Sequence, residues 1–136
     1  MKTRTPPLTC LALGYLGLTS VLVGVWALFL PRAFYDRFPG FGIWVAGDGP
    51  YNEHLVRDVG GLNLSLAMLI WFAWRRPDHV AAPVAGWAVL AYAVTHFLYH
   101  SGHLHTLTTQ ADRLGSVAGL LGAVACALIL VRRPLT

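Results

Sequence analysis

Four runs of apolar and small residues, Leu8 to Leu30, Val59 to Trp74, Val80 to Tyr99 and Leu114 to Val131, limit what this chain can fold into. Each approaches the roughly 20 residues with which a helix crosses about 30 Å of hydrocarbon. With their flanking residues the spans are expected at about 8–30, 55–74, 80–100 and 110–131, in one integral membrane domain over residues 1–136. Because 56% of the residues are hydrophobic and only 12% charged, an ordinary soluble domain is excluded and the lipid bilayer becomes the first partner. The runs are continuous instead of alternating, and lipid offers backbone groups no partner, so helices are expected and strands are not. The expected fold class is all-α, a four-transmembrane-helix bundle.

Lys2 and Arg4 precede the first run, as in a signal peptide. The run is longer than the roughly 7 to 15 apolar residues of a signal core, and "FLPRAF" lacks a small-residue cleavage pattern, so a retained span is expected. A net charge of +4 invites a nucleic-acid reading, but the basic residues sit at span ends instead of forming a patch, so no nucleic-acid partner is expected. Their placement encodes orientation instead. Lys2, Arg4, Arg75, Arg76, Arg132 and Arg133 gather at one face, while Arg32, Arg37, Arg57 and Arg113 share the other with most of the acids. The positive-inside rule then places both termini in the cytoplasm.

Between the first two spans runs "PRAFYDRFPGFGIWVAGDGPYNEH", with Phe34, Tyr35, Phe38, Phe41, Trp44 and Tyr51. Such aromatic density beside a span suits the headgroup layer. An extracytoplasmic aromatic lid is expected, with one short amphipathic helix and turns at "FPGFG" and "GDGP"; it is either an interfacial anchor or the cover of a pocket. "RRPDH" is a short inner loop that makes the second and third spans an antiparallel hairpin, with His79 an ordinary surface residue. "TQAD" has the Thr-x-x-Asp form of a capping box and should start the last helix near Gln110. That helix carries Gly115, Gly119, Ala123 and Ala127 at intervals of four, a stripe for close packing within the chain or, as a lesser alternative, on a membrane partner or second copy. Cys10 and Cys126 lack the CxxC spacing of redox or zinc sites and read as packing residues.

Chemistry concentrates in "THFLYHSGHLH", residues 95–105. At 100° per residue His96, His100 and His103 fall within about 60° of one another, and Tyr92 extends the stripe one turn deeper. Gly102 weakens the place of His103, because the helix can end there. The hairpin brings to the same face Glu53, His54 and Asp58, the last two on one side of the second span. Imidazole and carboxylate without thiolate suit a transition metal such as zinc, iron or copper. His54, Asp58, His96, His100 and His103 are therefore the candidate metal ligands, Glu53 the candidate general base, and His105 a further ligand or proton shuttle. Asp58 alternatively fixes an imidazole tautomer or pairs with Arg57, and the whole set alternatively consists of interfacial histidines hydrogen-bonded to one another, to loop carbonyls or to headgroups. Asn63 and Ser65 read as interhelical hydrogen-bonding groups.

The second span, "HLVRDVGGLNLSLAMLI", in which Arg57 is followed by Gly60 and Gly61, resembles the start of the corresponding helix in DoxX-like small four-helix membrane proteins. The resemblance implies that four spans make up the protein; one member type of that family resembles a subunit of a membrane thiosulfate to quinone oxidoreductase. "HFLYHSGHLH" is also similar to the histidine boxes of membrane di-iron hydroxylases and desaturases, which spread more histidines over several boxes than this chain places at one end. Two functions follow as expectations. One is a metal-dependent redox or hydrolytic protein acting on a small or lipid-like substrate; the other is a non-catalytic membrane subunit of a larger redox or envelope complex. An ion conduit is disfavoured, because no acidic residue lies in the middle of a span.

Overall fold

The computed structural model describes residues 6–76 and 81–132, so Lys2, Arg4, Asp78, His79 and Arg133 lie outside the described residues. The described residues form five α-helices and no strand, and four of the helices are long and apolar enough to cross a membrane. In order they are α1 (Pro7–Phe29), the short α2 (Pro31–Arg37), α3 (Glu53–Arg75), α4 (Ala81–Gly102) and α5 (Gln110–Val131), with a 3-10 turn at Leu104–Thr106.

Local chemistry explains the boundaries. Pro7 occupies the first turn of α1, where no backbone donor is missed. Leu30 leaves helical geometry (φ −130°, ψ 55°), and Pro31 begins α2 with a new axis. Asn52 caps α3 by accepting from the Leu55 amide at 3.2 Å, and Glu53 follows in the first turn where the helix dipole favours an acid. Thr109 caps α5 by accepting from the Asp112 amide at 3.0 Å, which places the last helix where "TQAD" predicts it. The lid contains the one short helix expected, α2, and turns at Gly40 (φ 106°) and Gly49 (φ 156°), conformations that glycine adopts without Cβ strain. The Phe38–Pro39 bond is cis. α4 runs through His100 to Gly102, so His96 and His100 share one helix and His103 lies just past its end.

Helix α1 packs between α3 and α5, while α4 packs on α5 and touches α3. Close backbone approach fixes two of these seams. A Cβ on Gly60 would stand 2.8 Å from the Leu28 Cα, and one on Gly24 2.8 Å from Leu64 Cγ, so α1 and α3 meet at glycines on both sides. Gly86 does the same between α4 and Leu130 on α5. The glycine and alanine stripe of α5 is partly turned into the chain: Gly115 lies under Trp44 and Ala127 is fully buried, while Gly119 stays exposed beside the Tyr15 hydroxyl. Cys126 packs against the core and, like Cys10, is free.

The dense core occupies one end of the bundle only. Leu13 and Leu16 of α1, Ile70 and Ala73 of α3, Ala85 and Val89 of α4, and Ala127 and Leu130 of α5 form it, toward the C-terminal ends of α3 and α5 and the N-terminal ends of α1 and α4. At the opposite, lid end a smaller cluster of Ala27, Phe34 and Val56 joins Trp26, Phe38 and Tyr51. Between these two clusters the bundle is hollow.

Gly60 and Gly61 separate close packing from helix propensity. Gly61→Ala meets no atom within 4 Å, whereas Gly60→Ala collides with backbone. In detergent thermal denaturation Gly60→Ala is expected to lose about 1–3 kcal/mol, and Gly61→Ala to be neutral or slightly stabilising because alanine is the better helix former.

Candidate functional site

The hollow between the clusters is a cavity of about 700 Å³, within the size range of small-molecule sites. Most of its wall is apolar, contributed by Leu16 and Val23 of α1, Phe34 of α2, Val59 and Leu66 of α3, and Val89 of α4. Its polar groups converge from α4 and the lid. Tyr92, His96 and His100, spaced four apart, line it in one column along α4. Tyr92 and His96 stack with ring centroids 5.0 Å apart, and His96 meets His100 edge to face at 4.5 Å. Asn63 of α3 reaches the Tyr92 hydroxyl across the cavity and donates to its own helix at Val59 O, 2.9 Å away.

The end of this column is closed by a lid residue. Asp48 Oδ2 lies 3.5 Å from His100 Nδ1, and both side chains are largely withdrawn from solvent, 19% and 25% exposed. Asp48 Oδ1 accepts from the Thr106 hydroxyl at 3.1 Å. A carboxylate at Nδ1 favours the tautomer with its proton there, leaving His100 Nε2 as the free ring nitrogen. The sequence-based reading missed Asp48, since "GDGP" announces a turn and says nothing of where the turn lands.

Two further contacts hold the lid. Trp44 Nε1 donates to buried Asp112 at 2.8 Å, and the same carboxylate accepts from Thr109 Oγ1 at 2.6 Å. Gly42 permits this, because a Cβ there would crowd Trp44 Nε1 at 2.9 Å. Tyr35 donates its hydroxyl to Gly49 O at 2.6 Å, and Gly47 lies so close to the 3-10 turn that a Cβ would stand 2.8 Å from Thr106 O. The aromatic segment is therefore a cover over a pocket, and its rings pack edge to face on one another, Phe38 on Trp26 at 5.9 Å and on Trp44 at 6.1 Å.

The other sequence candidates fall elsewhere. His54 and Asp58 pair with each other at 3.4 Å on an outward stripe of α3, with side chains 87% and 62% exposed. Leu62 and Ser65 continue that stripe, while Val56, Asn63 and Leu66 face inward. Glu53 is bound to Arg57 at 2.8 Å, and Arg57 also donates to the Leu28 carbonyl at the end of α1. Both line a shallow groove with Arg32, Asp36 and Tyr51, separate from the cavity; Arg32 there holds its proton more tightly than usual through its hydrogen bond to Asp36. His103 is stacked on Tyr99 at 4.2 Å, its Nδ1 2.7 Å from Tyr99 O, with His105 a further 5.9 Å away. The structure thus joins His96 and His100 to Asp48, and does not join His54, Asp58 or His103 to them. Among the described residues no group of three or more His, Cys, Asp or Glu side chains is placed to hold a metal ion.

No family model, curated protein or solved structure matches this chain. What the cavity does is read from its own walls.

The lid anchor gives a direct test. Hydrogen bonds to a charged partner contribute about 1.5–3 kcal/mol, so Trp44→Phe is expected to loosen the segment from Pro39 to Pro50 while leaving the spans folded. Hydrogen exchange by mass spectrometry in detergent should show faster exchange there and unchanged protection in α1 and α3.

Proposed function

We propose that this polytopic membrane protein binds a lipophilic small molecule inside its bundle. The polar head of that molecule lies at His96, His100 and Asp48, and its apolar body lies against Leu16, Val59, Leu66 and Val89. One observation carries the reading: an otherwise apolar cavity of about 700 Å³ gathers imidazole and carboxylate groups at the lid end of α4. Sites with this division bind by burying an apolar body and orient it through a few polar contacts. With Asp48 behind it, His100 can accept a proton at Nε2 or, once protonated, donate from it. The same pair therefore suits proton exchange with the head as well as binding. Glu53 and His54 have no part in this site.

A transition metal on His96 and His100 is the second reading, favoured by two imidazoles in contact with Asp48 close behind. Kinship with DoxX-like proteins is inferred from Arg57, Gly60, Gly61 and the four-span layout alone, and the charge pattern is the ground for placing the lid on the extracytoplasmic side. In the fold Arg57 and Gly60 fasten α3 to the end of α1, which gives that pattern a packing role. The role of docking subunit draws less support, because Gly115 lies under Trp44 and Ala127 is buried within the same chain, which leaves Gly119 as the exposed glycine of the stripe.

Mass spectrometry of solvent extracts from purified protein tests the binding reading. Wild type is expected to retain a lipophilic compound near one per chain; His96→Ala and His100→Ala should lose most of it, and His54→Ala should keep it. Equal retention in all four would refute the site. Elemental analysis of the same samples decides the second reading: zinc, iron or copper near one per chain, lost in His96→Ala and His100→Ala but kept in His54→Ala, would replace the lipophile by a metal.

A further inference from the structure

The four seams of the bundle differ in how they close around the cavity. Between α1 and α3 glycines bring backbones together at Gly24 and at Gly60, near the top of the cavity, with Arg57 bonded across to Leu28 O. Between α1 and α5 the Tyr15 hydroxyl donates to Gly119 O at 2.8 Å, and higher up Trp44 of the lid lies on Gly115. Between α4 and α5 Gly86 closes the core end, and buried Leu107, Asp112 and Ser116 close the lid end.

The seam between α3 and α4 is built otherwise. Its buried residues on α4 stop at Ala93, and the remaining residues to Gly102 include none that is buried. Asn63 and Tyr92 make the last polar contact across it. Above that level Leu55 of α3 and Tyr99 of α4 both line the cavity and yet are 60% and 50% exposed; the lid residues Phe41, Gly49, Pro50 and Asn52 and Gly119 of α5 are also both lining and exposed. Among the described residues this is the one seam at which both helices carry a large side chain that is at once cavity wall and outer surface, and that pairing marks an opening. This one faces sideways, between two membrane-crossing helices, and on α3 the neighbouring outward stripe carries Leu62 and the exposed His54–Asp58 pair.

We infer that the cavity is loaded laterally from the lid-side leaflet through the slot between α3 and α4, its rim formed by Leu55 and Tyr99. The occupant is then a membrane amphiphile: a polar, non-anionic head that exchanges hydrogen bonds with His96 and His100, and a hydrocarbon tail that leaves through the slot into the acyl chains. An anionic head is excluded because Asp48 closes the polar end and its charge would repel it. A tail is specified because the cavity wall away from the histidines is mostly apolar, where a second polar group would be left without partners. The lid, pinned by Trp44 to Asp112 and by Tyr35 to Gly49, stays shut while the ligand moves beneath it. This inference rests on the binding reading above.

The test uses the full chain in liposomes, with Cys10→Ser and Cys126→Ser, Trp44 as sole tryptophan, and cysteines introduced by Leu55→Cys and Tyr99→Cys. The probe is a nitroxide-labelled long-chain alcohol, and the signal is the part of Trp44 quenching that unlabelled alcohol displaces. Bridging the two cysteines with a bis-maleimide is expected to slow that quenching about tenfold or more, as gating a site does, and the same reagent on either single-cysteine variant should leave it unchanged. Undiminished quenching after complete bridging would overturn lateral loading while leaving the cavity as a site. Absence of any displaceable quenching before bridging would overturn the binding reading itself. A rate restored only when the lid is freed by Trp44-preserving Asp112→Ala in the bridged protein would show that access then runs through the lid, which supports the slot as the ordinary path.

Discussion

The backbone of α3 touches the backbone of α1 at Gly60 and Leu28, and the placing of every other part depends on that contact. A side chain at position 60 would push the helices apart just where α1 ends and α2 begins. Arg57 ties down the Leu28 carbonyl, one of the last acceptors of α1 that lipid cannot satisfy. With the top of α1 fixed to α3, the turn at Leu30–Pro31 sends α2 over the mouth of the bundle instead of away from it. The lid that follows can then reach across to α4 and α5.

Tight contact at this point coexists with loose filling nearby. Small residues draw α1 to α3 and α4 to α5, and beyond Ala93, next to the Asn63–Tyr92 contact, no residue of α4 is buried. Lipid exerts no hydrophobic pressure to collapse such a hollow, since an acyl chain is as apolar as leucine. The cavity is stable because its ends are packed: Leu13, Leu16, Ile70 and Leu130 at one, the Phe34 and Trp26 cluster at the other. Its polar groups are paired in the same economical way, with Asp48 held by Thr106 and Asn63 by Val59 O.

The sequence makes the spans plain because lipid demands long unbroken apolar runs, and it makes the start of α5 plain because Thr109 and Asp112 act locally. The inward column of α4 was legible too: Tyr92, His96 and His100 at spacings of four must share a face, and the structure turns that face to the cavity. Spacing alone does not tell which way a face looks. His54 and Asp58 share one as surely as His96 and His100, yet α3 presents Val56 and Asn63 inward and leaves the pair outside. The membership of Asp48 was illegible for another reason. Its position depends on two glycine turns and on Trp44 reaching Asp112, a contact 68 residues away in the chain.

Asp112 belongs to α5, which is translated after the segment that carries Trp44 and after α3 and α4. During synthesis the Trp44 indole therefore lacks this acceptor until α5 has been made and inserted beside α1 and α4. Until then the compartment is missing one of its walls.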